Sequence, residues 1–298
     1  MKINKKAWEL SLFRITLVFL LSLLFLNLYG FEEKPRGHLF IIGGGERPEF
    51  MMKKFIDLAN KSGDSKIIVL PMASATPEET GQEMVEEFKR LGVNSVSYFN
   101  FSRAEAEKAE SAALLNGAGG IFFSGGVQTR ITEAILNTPV HKKITELYQK
   151  GAVIGGTSAG AAVMSELMIT GDEVRKAEEG HEFETIQAGN VILVKGLGLV
   201  KKAIIDQHFA TRKRHNRLMS VIAEHPDLLG VGIDESTAII INPDETFEVI
   251  GNKNVIIYDA SRAKIIFGKN GEIGIRGMVI DVLLPGDKFS LAKKKVIK

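Results

Sequence analysis

The sequence predicts an α/β protein with a doubly wound, mostly parallel sheet and antiparallel C-terminal strands. Through the first half of the chain, short apolar runs alternate with helical patterns, and glycine clusters follow several of these runs. This alternation is typical of βαβ units. After Gly230 the pattern changes to short strands separated by turns. We expect these later strands either to complete the same sheet or to form a small flap.

The individual elements follow from local patterns. Strands are predicted at His38–Ile42, Lys66–Leu70, Ser95–Phe99, Gly120–Phe123 and Ala152–Ile154, and helices near 48–61, 77–91, 103–115, 128–149 and 212–224. The second helix has a clear start, because Thr76 can cap it and Pro77 suits its first position. The later strands are predicted at Ala238–Ile241, Phe247–Ile250, Val255–Tyr258 and Lys264–Phe267.

Composition excludes several classes of function. The chain has 298 residues and no cysteine, which excludes disulfides, thiolate metal sites and a cysteine nucleophile. The net charge of the whole chain is +2. Residues 1–30 have a net charge of +3, so residues 31–298 have a net charge of about −1. A nearly neutral body lacks the basic surface that nucleic-acid binding requires.

The N-terminal segment resembles an export signal. Basic residues precede an apolar stretch, Ile15–Tyr29, which is short for a membrane span. Leu28 stands where a signal-peptide cleavage site normally has a small residue. An uncleaved membrane anchor within residues 10–30 therefore remains an alternative. We therefore expect an exported protein, periplasmic or extracellular, that touches a membrane only through this segment if it is uncleaved. The expected organisation is a signal or anchor at 1–30, a linker at 31–37, one α/β domain at 38–292 and a basic tail at 293–298.

Ser158 is the strongest candidate for chemistry. It lies in Gly156-Thr157-Ser158-Ala159-Gly160, between a predicted strand and a helix-compatible run. G-x-S-x-G in this context is the pattern of a nucleophile elbow. The amide of Ala159 follows the serine and can stabilise an oxyanion. The alternative is a plain glycine-rich turn in which Ser158 caps the helix.

His208 is the best candidate for the base that such a serine needs. It follows Ile204-Ile205-Asp206-Gln207, where a strand-like run ends in polar side chains. Strand ends in open parallel sheets face the crevice where ligands bind. Three arginines come next at 212, 214 and 217. Because cations are unfavourable at a helix start, they indicate either a carboxylate-bearing ligand or a structural ion-pair cluster.

Two further glycine loops are expected around the same crevice. Gly125-Gly126 precedes Gln128 at the start of a predicted helix, and Gly43-Gly44-Gly45 follows the first strand. Neither matches a complete nucleotide-binding motif. No spacing of histidines and carboxylates resembles a metal site, so no metal and no cofactor are expected.

Together these motifs resemble the cyanophycinase branch of the aspartyl-dipeptidase family of serine peptidases. The resemblance implies a fold close to class I glutamine amidotransferases, with serine replacing cysteine at the elbow, and a homodimer. It also implies hydrolysis of cyanophycin, a poly-aspartate carrying arginine on each β-carboxyl, to β-Asp-Arg dipeptides. The stretches that carry it are HLFIIGGGE (38–46), GIFFSGGVQ (120–128), GGTSAGAAVMS (155–165), GLGL (196–199), IDQHF (205–209) with R-x-R-x-x-R after it, and GIDESTA (232–238).

The resemblance also implies roles for single residues. Ser158 would be the nucleophile and His208 the base, with the amides of Gly126 and Ala159 as the oxyanion hole. Asp206 could bind a substrate guanidinium and the arginines could bind carboxylates. The expected pocket residues are Gln128, Asp206, Gln207, Arg212, Arg214 and Arg217.

The acid that orients the histidine is expected between the nucleophile helix and His208. Glu173 is the first choice, because it directly follows a predicted strand at Leu167–Thr170. Counting back from His208 favours Glu184 instead.

Three other functions compete with this interpretation. An aspartyl or isoaspartyl dipeptidase would use the same chemistry on free peptides. An α/β-hydrolase esterase is disfavoured, because no H-G-G-G oxyanion loop is present. A catalytically silent, exported binding protein would use the crevice without reacting at Ser158.

Overall fold

A computed structural model of the chain describes residues 34–61, 66–175 and 181–298. The expected signal or anchor at 1–30 lies outside these ranges, as does part of the linker. In the described ranges, no helix combines the length and apolar character that a membrane span requires.

Strands and helices alternate through the first half of the described chain. The strands are β1 (Leu39–Ile42), β2 (Lys66–Leu70), β3 (Val96–Tyr98), β4 (Ala118–Phe123) and β5 (Val153–Thr157). The helices are α1 (Glu49–Asn60), α2 (Pro77–Arg90), α3 (Arg103–Ala106), α4 (Ala109–Ala113), α5 (Gln128–Ile135), α6 (Pro139–Lys150) and α7 (Ala159–Ala162).

The second half of the chain is richer in strands and contains one longer helix, α8 (His215–Glu224). The earlier strands of this half are β6 (Leu167–Glu173), β7 (Val191–Lys195), β8 (Ala203–Asp206), β9 (Leu229–Ile233), β10 (Thr237–Ile241) and β11 (Thr246–Gly251). The later strands are β12 (Val255–Asp259), β13 (Lys264–Phe267), β14 (Ile273–Arg276), β15 (Val279–Leu283), β16 (Lys288–Ser290) and β17 (Lys295–Ile297).

The predicted fold class is confirmed by a nine-stranded sheet in the order β17-β16-β11-β10-β1-β5-β4-β2-β3. The five strands from β1 to β3 in this order pair in parallel. The four C-terminal strands at the other end pair antiparallel. A parallel core of this kind needs both faces covered, and apolar clusters pack on each side of it.

Both expectations for the late strands hold in part. β10 and β11 complete the large sheet, whereas β12 belongs to a second sheet in the order β15-β12-β9-β8. In that second sheet β8 and β9 are parallel, and the remaining pairs are antiparallel. β13 pairs with β14, and β6 pairs with β7, as separate hairpins.

Three predicted helices are shorter or interrupted. The segment near 103–115 breaks because Lys108 is extended (φ −88°, ψ 138°). The segment 128–149 breaks at Asn137, which has φ 62°, and α6 restarts with Pro139 in its first turn. The helix predicted from Arg212 begins only at His215, because Lys213 has φ 52°. The left-handed backbone of Asn137 and Lys213 cannot continue a right-handed helix, and the extended backbone of Lys108 interrupts it as well.

The C-terminal residues, expected as a solvated basic tail, include a short strand. Lys295–Ile297 forms β17, the edge strand that pairs with β16. Its lysines suit that position, since charged side chains protect an exposed sheet edge from further pairing.

Candidate active site

Ser158 occupies a sharp turn between β5 and α7. Its backbone has φ 54° and ψ −110°, a conformation that non-glycine residues rarely adopt. Such strain costs about 1–3 kcal/mol and persists only where the surrounding structure enforces it. Ser158 N donates to the carbonyl of Ile42 at the end of β1 (3.0 Å), which ties the turn to the neighbouring strand.

The two glycines of the motif are required by close packing. A Cβ on Gly156 would lie 2.3 Å from the carbonyl oxygen of Gly160, and one on Gly160 would lie 2.5 Å from that of Phe123. Any larger residue would therefore push α7 away from β4 and β5. This confirms the local strand–turn–helix structure that the G-x-S-x-G pattern predicts.

His208 lies beside Ser158. It follows β8, and its Nε2 is 2.9 Å from Ser158 Oγ. The backbone at His208 is left-handed (φ 48°), and its N–H donates to the carbonyl of Gly43 (2.6 Å). A Cβ on Gly44 would lie 2.4 Å from His208 Nε2, so only glycine fits there. The loop after β1 thus faces the same crevice, as the sequence predicts.

The acidic partner of His208 is Glu235. Its Oε1 lies 2.6 Å from His208 Nδ1. Glu235 follows β9, the strand that pairs in parallel with β8, so His208 and Glu235 leave the same edge of one sheet. With the imidazole proton on Nδ1, His208 donates to Glu235 and accepts from the hydroxyl of Ser158. This is the geometry of a nucleophile, a base and an orienting acid.

The expectation of Glu173 as this acid is therefore corrected. Glu173 Oε2 accepts from the amide of Phe183 (3.2 Å) and from Asn190 Nδ2 (2.9 Å), within the β6–β7 hairpin. The alternative, Glu184, is exposed and pairs with His181 Nδ1 at 2.5 Å.

Sequence reasoning missed Glu235 because it assumed that the acid precedes the histidine in the chain. The signal was nevertheless present in GIDESTA (232–238), where an apolar run ends in two carboxylates. This run is the end of β9, and its partner β8 ends two residues before His208. The pairing of β8 with β9 cannot be recognised from local sequence pattern.

Burial controls the protonation of His208. Desolvation is the largest influence and lowers the pKa of the imidazole below its ordinary value of 6.5. The hydrogen bond that His208 donates to Glu235 opposes this by raising the pKa, whereas the charges of Arg212 and Arg214 lower it. At neutral pH the imidazole is therefore neutral and able to accept the proton of Ser158.

Two amides beside Ser158 suit a developing oxyanion. Ala159 N is at the first position of α7, directly after the serine. A Cβ on Gly125 would lie 3.4 Å from Ser158 Cβ, which places the Gly125-Gly126 loop against the nucleophile. Among the described residues, neither Gly126 N nor Ala159 N donates to a backbone carbonyl. Both amides therefore stay the candidates for an oxyanion hole.

Gln128 is buried and engaged inside the protein. Its Nε2 donates to the carbonyls of Ile169 (2.9 Å) and Thr170 (2.6 Å) in β6. It thereby fixes the start of the β6–β7 hairpin beside the loop that carries Gly126. The side-chain nitrogen of Gln128 is therefore bonded within the protein.

The polar residues around His208 also pair with one another. Arg217 makes a bidentate ion pair with Asp206, through Nε to Oδ2 at 2.8 Å and through Nη2 to Oδ1. Arg214 Nη1 donates to the carbonyl and the Oε1 of Gln207 at 2.7 and 2.8 Å. Both oxygens of Asp206 are thus occupied, which contradicts the expectation that it receives a substrate guanidinium. Arg212 differs, because it is exposed.

The sequence left two alternatives for the three arginines, a carboxylate-bearing ligand or a structural ion-pair cluster, and the structure distinguishes the residues. Arg214 and Arg217 belong to a structural ion-pair cluster around Asp206, whereas the side chain of Arg212 is exposed. Burial, together with the charge of Arg217, lowers the pKa of Arg214 to about 10. Within the described part of the chain, no group of three or more histidines and carboxylates could hold a metal ion.

Comparisons with known proteins find relatives that match most of the chain. The model of Peptidase family S51 matches residues 39–249. A cyanophycinase of Trichormus variabilis is 32% identical over 267 residues, which cover 87% of each chain. A cyanophycinase of Synechococcus elongatus is 33% identical over 269 residues, which cover 88% of this chain and 81% of that one.

A solved structure shows the same fold. The crystal structure of a peptidase from an acI-B1 Actinobacterium matches with a TM-score of 0.65 at 22% identity, covering 87% of this chain and 99% of that chain.

Replacing Glu235 tests its role directly. Glu235→Gln removes the charge that stabilises the imidazolium, so we expect the rate at which a fluorophosphonate labels Ser158 to fall by on the order of 10²- to 10⁴-fold. Glu173→Gln is the matched control and should label at the wild-type rate. Equal labelling of Glu235→Gln and the wild type would contradict the assignment, as would strong loss in the control.

The pH dependence of labelling tests the protonation of His208. Since only the neutral imidazole accepts the serine proton, labelling should be constant at neutral pH and should fall as the pH drops through the pKa of His208. That pKa is lowered by burial, so the half-maximal rate should lie below pH 6.5. Arg212→Gln removes a nearby positive charge and should move this midpoint upward. A wild-type midpoint above pH 6.5 would contradict the lowering of the His208 pKa by burial.

Proposed function

The chain belongs to peptidase family S51, and we propose that it is a serine exopeptidase that hydrolyses cyanophycin to β-Asp-Arg dipeptides. The observation that carries the proposal is the contact of His208 with Ser158 on one side (2.9 Å) and with Glu235 on the other (2.6 Å). Relatives named cyanophycinase, 32–33% identical over most of their length, support the substrate.

In the proposed reaction, Ser158 Oγ attacks the aspartyl main-chain carbonyl next to a β-linked arginine. His208 Nε2 takes the hydroxyl proton, and Glu235 stabilises the resulting imidazolium through Nδ1. The amides of Gly126 and Ala159 donate to the oxyanion. When the tetrahedral intermediate collapses, the proton passes from His208 to the leaving amine, and an acyl-enzyme on Ser158 remains.

Water completes the cycle. His208, neutral again, removes a proton from a water molecule that attacks the acyl carbon. The second tetrahedral intermediate collapses to a carboxylic acid product, and the proton returns from His208 to Ser158 Oγ. The net reaction adds one water across one peptide bond.

Recognition of the polymer is proposed to involve Arg212. Its exposed guanidinium lies near enough to His208 to lower the pKa of the imidazole, and it can bind a carboxylate in bidentate fashion. Cyanophycin offers the α-carboxylate at the chain end that an exopeptidase must recognise. A dipeptidase would recognise a similar group on a free peptide, but the cyanophycinase relatives favour the polymer.

The proposed function is tested with purified insoluble cyanophycin. We expect the wild-type protein to release β-Asp-Arg, detected by mass spectrometry, and Ser158→Ala to release none, because the nucleophile is lost. An intact polymer beside a Ser158 that still reacts with a fluorophosphonate would reject cyanophycin and leave the dipeptidase alternative. A Ser158 that does not react would favour a silent binding protein.

We propose in addition that residues 1–30 direct export and that the mature protein is a homodimer. An apolar edge supports the dimer, since Val279, Ile280 and Val282 in the edge strand β15 are each more than half exposed. Sedimentation velocity should give twice the mass of one chain, and cell fractionation should place the protein outside the cytoplasm. A single-chain mass would reject the dimer, and a cytoplasmic protein would reject export.

A further inference from the structure

A buried ion pair lies directly before the active-site histidine in the chain. Asp206 is 1% exposed and Arg217 is 2% exposed. The planar guanidinium of Arg217 meets both oxygens of Asp206, an arrangement that fixes orientation as well as charge. Asp206 Oδ1 also accepts the amide of Gln207 at 2.8 Å. The pair is therefore coupled to the backbone that leads into His208.

The next peptide group, which joins Gln207 to His208, is held at both ends. Its carbonyl oxygen accepts from Arg214 Nη1 at 2.7 Å. Its N–H donates to the carbonyl of Gly43 at 2.6 Å. Once this peptide plane is fixed, the left-handed φ of 48° at His208 sets the direction of its Cα–Cβ bond, from which the imidazole extends. Other conformations at His208 would be less strained, so the plane must be held.

Residues 183–189 cover the side of Arg217 that faces away from Asp206. The ring centroid of Phe183 lies 5.4 Å from Arg217 Cζ, within the range of a cation–π contact. Side chains spaced four residues apart along α8 hydrogen-bond to the backbone of residues 184–189. These side chains are Asn216, Ser220 and Glu224. Arg217 is thus enclosed between Asp206 and Phe183 and has no face open to a substrate.

We propose that Arg214 and Arg217 are positioning residues that together aim the imidazole of His208 at Ser158. Arg214 holds the Gln207–His208 peptide directly, and Arg217 acts through Asp206, whose carboxylate accepts the amide of Gln207. The proposal rests on the proposed role of Ser158 as nucleophile but not on cyanophycin as the substrate. It assigns these two arginines a different role from Arg212, whose exposed side chain can reach a ligand.

A small alkyl fluorophosphonate separates positioning from substrate binding, because it carries neither a carboxylate nor an arginine. Arg217→Lys keeps the positive charge but loses the bidentate fork. We expect its labelling rate at Ser158 to fall by on the order of 10- to 100-fold, since small misplacements of catalytic groups have effects of this size. With cyanophycin, kcat should fall in parallel and KM should change little. Lys213→Gln, which removes an exposed cation from the same segment, should label at the wild-type rate.

A double variant guards against a folding defect. Asp206→Asn combined with Arg217→Gln replaces the ion pair by two neutral amides that can still hydrogen-bond, so no unpaired charge is buried. If positioning is the role, this variant should label faster than Arg217→Lys, whereas a substrate ligand would not be rescued. Circular dichroism should show a wild-type spectrum for each variant before its labelling rate is compared.

Two results would overturn the proposal. Arg217→Lys could label at the wild-type rate while its KM for cyanophycin rises, which would make Arg217 a substrate ligand. Alternatively, a folded double variant could label no faster than Arg217→Lys. Failure of the wild-type protein to label is a distinct result, since it would reject Ser158 as the nucleophile and the positioning role with it.

Discussion

The active site depends on the parallel pairing of β8 with β9. Parallel strands end at the same edge of a sheet, so the residues that follow Asp206 and Ile233 leave the sheet side by side. This is why His208 and Glu235 meet at 2.6 Å although 27 positions separate them in the chain. The nucleophile comes from a different sheet, at the end of β5. The site therefore requires the two sheets to be held in one relative position.

The loop after β1 supplies much of that connection. Gly43 accepts the amide of His208, and Gly44 accepts the amide of Ser236, the residue after Glu235. A Cβ on Gly45 would lie 2.8 Å from Glu235 Cβ, so this loop packs directly on the acid as well as on the base. β1 itself pairs in parallel with β5, which ends at Thr157, directly before Ser158. One strand and its glycine loop thus contact all three members of the site.

Local pattern was sufficient for the parts of the molecule that local chemistry determines. The βαβ alternation, the elbow at Ser158 and the polar strand end before His208 follow from short-range features, and the structure has the fold and the local geometry that they predict. The acid was misassigned because Glu235 joins His208 only through strand pairing, which sequence spacing does not reveal. The helix predicted from Arg212 was too long because no pattern shows that Lys213 takes a left-handed backbone. The burial of Arg217 was equally hidden, since it depends on Phe183 and on Asp206.

Two strained residues face each other across the reactive hydrogen bond. Ser158 and His208 both have positive φ values, 54° and 48°, and neither is glycine. Each would relax if it were free, and a relaxation of either would separate Oγ from Nε2. Packing around the two residues offsets the free-energy cost of their strained backbones. Near Ser158, α7 packs closely on β4 and β5, and the Asp206–Arg217 pair bonds to the backbone just before His208. The strain is therefore the local cost of holding Ser158 Oγ and His208 Nε2 in hydrogen-bond contact, and we infer that the ion-pair cluster is part of what maintains that contact.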